Sequence, residues 1–175
     1  LQQSILYPLR YKLESLLLNV FSASQQWSQA TLQASKLVGL SIENISPHQY
    51  QLSLLTLIAF YNQIGQPEKS FMYLNKIQPH TLTARNKCIY FQVDLEAKIE
   101  EKPLFVTETA MRQAIDVCEA AEEFLFSGIV RVYFADWLSD KRKHQEAINI
   151  LLPQIKRLEE INYPILSALS YNALA

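Results

Sequence analysis

A small residue returns along this chain at nearly constant intervals, and it returns in the same company. Ala30, Ser70, Ala110 and Ala147 stand 40, 40 and 37 residues apart. Four residues after each stands Ala34, Leu74, Ala114 or Leu151. Seven after the first three stands Leu37, Ile77 or Val117, while the fourth copy has Gln154 there with Ile155 beside it. Steps of four and seven place residues on one face of a helix. Twelve residues earlier stand Leu18, Ile58 and Ala135, on what would be a partner helix. The same count from Ala110 gives Lys98, which does not fit, and a longer loop around "EEKPLF" would account for it. A small side chain once per unit lets the partner helix approach closely. Self-similarity at a period of about 34 to 47 residues marks a stack of helix hairpins, each unable to bury its own apolar surface alone.

Helical spacing runs through the rest of the chain. One predicted face carries Leu6, Leu9, Leu13, Leu16, Leu17 and Val20; others carry Leu54, Leu57, Ile58 and Tyr61, then Ala84, Cys88, Phe91 and Leu95, then Ile129, Tyr133 and Trp137. No run alternates as a half-buried strand would. Ser46-Pro47-His48-Gln49 predicts a helix start, with a hydroxyl cap, Pro at the first helical position and Gln three residues after the cap. Gly65-Gln66-Pro67 ends one helix and opens the next. Pro153 lies inside "AINILLPQIKRLEE", so that helix must kink there or begin again. Only three glycines occur in 175 residues, which disfavours both turn-rich β folds and glycine-rich phosphate loops. The expected fold is all-α: a right-handed superhelical solenoid of antiparallel hairpins, about four repeats of 37–40 residues. A single domain over 1–175 would hold hairpins near 1–42, 46–80, 81–124 and 127–162, with a further helix starting at 163–175. The first residue is not Met and the last residues stay in helical pattern, so the chain is expected to be part of a longer protein.

Residues 54 to 77, "LLTLIAFYNQIGQPEKSFMYLNKI", resemble the tetratricopeptide repeat family, with Tyr61, Gly65 at the turn, small Ser70, and apolar Leu74 and Ile77. Residues 131 to 151 are a second copy, matching at Phe134, Ala135, Leu138, Ala147 and Leu151, with Arg142 in place of the turn glycine. The same features, with the closing stretch "AINILLPQIKRLEEINYPILSALSYNALA", resemble the repeats of a scaffold subunit of the anaphase-promoting complex, a ubiquitin ligase. That resemblance implies a non-catalytic assembly scaffold. Peptide-sensing repeat domains of bacterial regulators are similar in outline and imply instead a domain that responds to a short peptide in its groove.

No residue set predicts catalysis. His48, His80 and His144 form no metal pair at helical spacing, and no metal or cofactor is expected. Cys88 and Cys118 are expected to be reduced, partly buried thiols of an intracellular protein; acidic Glu119 and Glu122 beside Cys118 disfavour a nucleophilic thiolate. A net charge of −1 gives no long-range pull toward nucleic acid or an acidic membrane, and no apolar run is long enough to cross a bilayer. The basic cluster "DKRKH" at 140–144 reads as a solvated turn between helices. Expected partners are therefore other protein subunits or a peptide segment, with no small-molecule substrate.

The resemblance places a binding groove on the first helix of each hairpin. Candidate groove residues are Lys12, Ser15 and Asn19 from the first hairpin, Leu52, Leu55, Ala59 and Asn62 from the second, Tyr90 and Asp94 from the third, and Val132 and Asp136 from the fourth. Leu55, Ala59, Val132 and Asp136 stand where chaperone-tail clamps of this family carry Lys and Asn, which disfavours capture of a free carboxylate.

Overall fold

The computed structural model describes residues 2–40, 45–101 and 105–173, with side chains from Tyr7 onward. All regular structure among the described residues is helical: α1 (Gln2–Ala23), α2 (Trp27–Val38), α3 (Pro47–Gln63), α4 (Pro67–Leu74), α5 (Ala84–Glu101), α6 (Glu108–Ala120), α7 (Phe124–Asp140), α8 (His144–Glu160) and α9 (Pro164–Asn172), with a short 3₁₀ turn at Pro79–Thr81. The chain forms two compact units, Leu1–Leu82 and Thr83–Ala175. In the first, α1 packs on α2 and α3, and α3 on α4; in the second, α5 packs on α6 and α7, α6 on α7, and α7 on α8 and α9. Within each unit sequence-adjacent helices touch, and so do the first helices of successive hairpins, α1 with α3, α5 with α7 and α7 with α9. All-α packing of hairpins is what the 40-residue period requires.

Five of the turns are one device. Gln25, Gly65, Glu122, Arg142 and Asn162 all have φ between 52° and 64°. At each, the following N–H reaches back five residues along the turn: Gln26 to Phe21, Gln66 to Tyr61, Glu123 to Cys118, Lys143 to Leu138 and Tyr163 to Leu158, at 2.8–3.0 Å. This satisfies orphaned carbonyls at the helix end and lets the next helix begin at once. Only Gly65 adopts that backbone without a side-chain penalty. Arg142→Gly is therefore expected to raise stability by about 0.5–1 kcal/mol, and Gly65→Ala to lower it by about 1 kcal/mol. Nothing lies within 4 Å of the added methyl at 65, so the urea midpoint of Gly65→Ala reads the backbone term alone, and the same measurement on Arg142→Gly checks the opposite sign.

The expected α3 start is present in full. Ser46 Oγ accepts from the Gln49 N–H at 3.2 Å, and the Gln49 side chain accepts from the Ser46 N–H at 3.1 Å. Leu54, Leu57, Ile58 and Tyr61 are all buried. Ser70 Oγ donates to the Ile58 carbonyl at 3.2 Å, so the small residue of α4 sits against the residue twelve positions earlier. Ala30 and Ala147 are buried likewise, together with Leu18 and Ala135. The third pair departs from this register. Its link runs from Glu101 to Glu108, longer than the three-residue turns elsewhere. The buried residues there are Ala97, Met111 and Ala114, while Lys98 is half-buried and pairs with Asp94. Pro153 lies within a continuous α8; the Ile150 carbonyl, three residues before it, accepts from Arg131 at 3.3 Å.

Three expectations are corrected. Most of the α1 stripe read as core points outward: Leu9, Leu13, Leu16 and Val20 are 51–63% exposed and Leu17 is half-buried, while Tyr11, Leu18 and Ser22 are buried; the Leu6 side chain lies outside the described ones. Apolar residues occur on every side of α1, so spacing alone does not choose the packed face. On α7, Ile129, Tyr133 and Trp137 are only half-buried, and the core face is Val130, Phe134 and Leu138. Finally, Cys88 and Cys118 are not free thiols. They form a disulfide joining α5 to α6, because hairpin packing brings together residues that lie thirty positions apart. The cysteines thus no longer support a reducing compartment.

Glu119 on α6 ties three helices of the second unit. It accepts from Ser127 at 2.5 Å, from Arg131 at 3.4 Å and from Arg157 at 3.1 Å. Burial alone would raise its pKa, but Ser127, Arg157 and Arg131 together hold it below the ordinary carboxylate value. A carboxyl whose folded pKa is lowered stabilises the fold above its unfolded value, about 4.5, and loses that contribution as pH falls through the folded value. Glu119→Gln is expected to remove part of the acid-side loss of stability, measured as a flatter urea midpoint across that range.

Candidate interaction surfaces of the two units

In the first unit, α1 and α3 meet at a pair of serines. The hydroxyls of Ser15 and Ser53 lie 2.9 Å apart, and each also reaches the carbonyl four residues back on its own helix, Tyr11 and Gln49, at 3.0 Å. Small polar side chains at this crossing leave a cleft of about 190 Å³ beside them, lined by Tyr11, Lys12, Ser15, His48, Gln49, Leu52 and Ser53. Three of the expected groove residues, Lys12, Ser15 and Leu52, come together here. Asn19 is exposed on α1 outside the cleft, Ala59 is half-buried, and Leu55 and Asn62 lie in the interior.

In the second unit a cleft of about 190 Å³ is lined by Ile99, Val106, Tyr133, Asp136, Trp137 and Asp140. Asp136 is the only expected groove residue in it. Tyr90 and Asp94 are half-buried on α5, with Asp94 held by Lys98 at 2.6 Å. Val132 packs against the core. The α7 contribution recurs at steps of three and four, 133, 136, 137 and 140, and the apolar members of that set had looked like core. Its link residue Val106 carried no readable signal.

The electrostatics of this cleft are acidic. Burial, then the neighbouring Asp140 charge, raises Asp136; burial and Glu96 raise Glu100. Burial and the charges of Glu96 and Glu100 push Tyr133 upward, and its hydroxyl donates to Glu96 at 3.0 Å. Among the described residues no group of three His, Cys, Asp or Glu is arranged to hold a metal ion. The "DKRKH" stretch forms the α7–α8 turn: Lys141 lies over the Trp137 ring at 4.3 Å, and Lys143 pairs with Glu108 and Glu146.

The third surface is the outward stripe of α1. Leu9, Leu13, Leu16 and Val20 follow the four–three–four spacing of a helix-packing seam. Exposure of several large apolar side chains in one row marks an interaction surface more than ordinary scatter does. Among the described residues no helix is long and apolar enough to cross a membrane. No family model matches the sequence, no curated protein matches it, and no solved structure matches the chain.

Proposed function

We propose that this chain is a non-catalytic protein–protein interaction scaffold, a tetratricopeptide-like solenoid of helix hairpins whose outer α1 face seats a helix of a partner. The exposed α1 stripe carries the proposal, read through the 40-residue repeat. That shift takes Gln25 to Gly65 at the turns and Ala30 to Ser70 at the small positions. It takes Leu9, Leu13, Leu16 and Val20 to Gln49, Ser53, Thr56 and Phe60 of α3. Ser53 is in contact with α1 through Ser15, and Phe60 is buried. Gln49 and Ser53, which α3 turns toward its cleft with α1, thus correspond to Leu9 and Leu13, which α1 turns to solvent. A helix standing to α1 as α1 stands to α3 would cover those leucines.

The proposal concerns the class of function. It does not extend to the anaphase-promoting complex, for which the sequence likeness is the sole support. The test is retention of partners by the chain from source-cell lysate, compared with Leu13→Asp/Leu16→Asp. Both leucines are more than half exposed, so the variant should keep its helicity and its midpoint within about 0.5 kcal/mol. It should lose a stoichiometric partner that the parent chain holds. An identical set of partners on both baits would remove α1 as the seat.

A further inference from the structure

We infer that the cleft between α5 and α7 of the second unit binds an extended peptide segment bearing an arginine flanked by apolar residues. This goes beyond the scaffold reading and uses none of the α1 stripe. The cleft has two parts. Its walls are Ile99, Val106, Tyr133 and Trp137, and its lip carries Asp136 and Asp140, with Glu100 one residue beyond Ile99 on α5. A space of about 190 Å³ suits one long side chain and not a folded domain.

The chemistry of the occupant follows from carboxylates set beside apolar walls. Asp136, Asp140 and Glu100 enter no ion pair among the described residues; of the described lysines nearby, Lys98 pairs with Asp94 and Lys143 with Glu108 and Glu146, while Lys141 lies over the ring of Trp137, itself a wall of the cleft. Burial, then the neighbouring charges of Asp140 and Glu96, raise Asp136 and Glu100, and a cation beside them would relieve that repulsion. An anionic peptide would add repulsion. A metal ion finds no converging ligand set. A long cationic side chain satisfies both parts at once, laying its aliphatic stem along the apolar walls and its charge among the carboxylates. Arginine fits better than lysine, because its planar group can stack on an aromatic face and fork to two carboxylate oxygens.

The test uses the full chain and two fluorescein-labelled nonapeptides, Gly-Ser-Gly-Leu-Arg-Leu-Gly-Ser-Gly and the same sequence with Glu for Arg, followed by anisotropy at low salt. The arginine peptide should bind saturably and weaken as salt is raised; the glutamate peptide should not bind. Asp136→Asn/Asp140→Asn should weaken the arginine peptide about tenfold or more. It should not lower the melting temperature, since neutralising two mutually repelling carboxylates relieves strain in the fold. Asp140→Lys, at an exposed position, provides a second variant with the same expected loss. Leu13→Asp/Leu16→Asp should bind the arginine peptide as the parent does, which separates this site from the α1 seat. Equal binding of both peptides, unchanged binding by the cleft variants, or no saturation with the arginine peptide by about 1 mM would overturn the inference.

Discussion

Replacing both Cys88 and Cys118 with alanine is expected to lower the unfolding free energy by about 3–4 kcal/mol. The bridge spans thirty residues of sequence and joins two helices whose cysteines are fully buried. Most of its effect arises in the unfolded chain, where closing a loop of that length removes conformations the reduced chain would explore. The α5–α6 link, from Glu101 to Glu108, is also longer than the links of α1–α2, α3–α4 and α7–α8, so the crosslink falls on the hairpin with the longest connection between its two helices. Urea midpoints with and without reductant, beside the double alanine variant, measure the effect. The variant and the fully reduced parent should unfold at the same, lower midpoint. A variant as stable as the oxidised parent would show that the bridge constrains nothing the helices do not already hold.

Phe134→Ala is expected to cost about 3–5 kcal/mol. Phe134 is wholly buried in a cluster with Leu95, Met111, Ala114, Val130, Leu138 and Leu151, so its contacts come from four helices. Its ring also lies beneath the Arg112 guanidinium, 5.2 Å from the centroid. Truncation would leave a void that four packed helices cannot close together, and the transfer and cavity costs then add. Phe134→Leu should cost about 1–2 kcal/mol, since most of the volume remains. The adjacent Tyr133→Phe should cost less than the alanine change, because that residue is half-buried at the cleft. A loss at Tyr133 larger than at Phe134 would mean that the core lies on the face read first from the sequence.

That contrast shows what was legible. α3 could be bounded from the sequence, since Ser46, Pro47 and Gln49 write its start and Gly65 its end, and its expected face Leu54, Leu57, Ile58 and Tyr61 is buried, though Leu55 and Phe60 beside that face are buried as well. α1 and α7 could be recognised as helices, but not oriented. Each carries apolar residues around most of its circumference, so periodicity finds the helix without choosing its buried side. On α1 the outcome was the reverse of the expectation, and the exposed stripe became the most informative surface of the first unit. The disulfide depends on the register of two packed helices, which no local pattern specifies. Of the expected groove residues, Lys12, Ser15 and Leu52 line the first unit's cleft and Asp136 the second's. Their neighbours Trp137 and Asp140 were hidden among residues that had looked like core and turn. Val106 sits on an irregular link, where neither helical nor turn chemistry marks a residue as a lining.

The repeat also explains why α1 has two apolar sides. α1 uses Tyr11, Ser15 and Leu18 to hold the first unit together, and its exposed side carries Leu9 and Leu13 at the positions where α3 carries Gln49 and Ser53, beside α1. A hairpin in such an arrangement has two faces to cover, and only one of them is covered within this unit. Substitutions on the two sides should therefore separate cleanly: Leu18→Ala should cost about 2–5 kcal/mol of stability, whereas Leu13→Asp/Leu16→Asp should cost binding and little stability.

Amide hydrogen exchange on α1, compared between the free chain and its complex with a retained partner, tests the central claim most directly. The account predicts added protection concentrated between residues 9 and 20, abolished by Leu13→Asp/Leu16→Asp. Unchanged exchange along α1, with new protection appearing elsewhere on the chain, would contradict it.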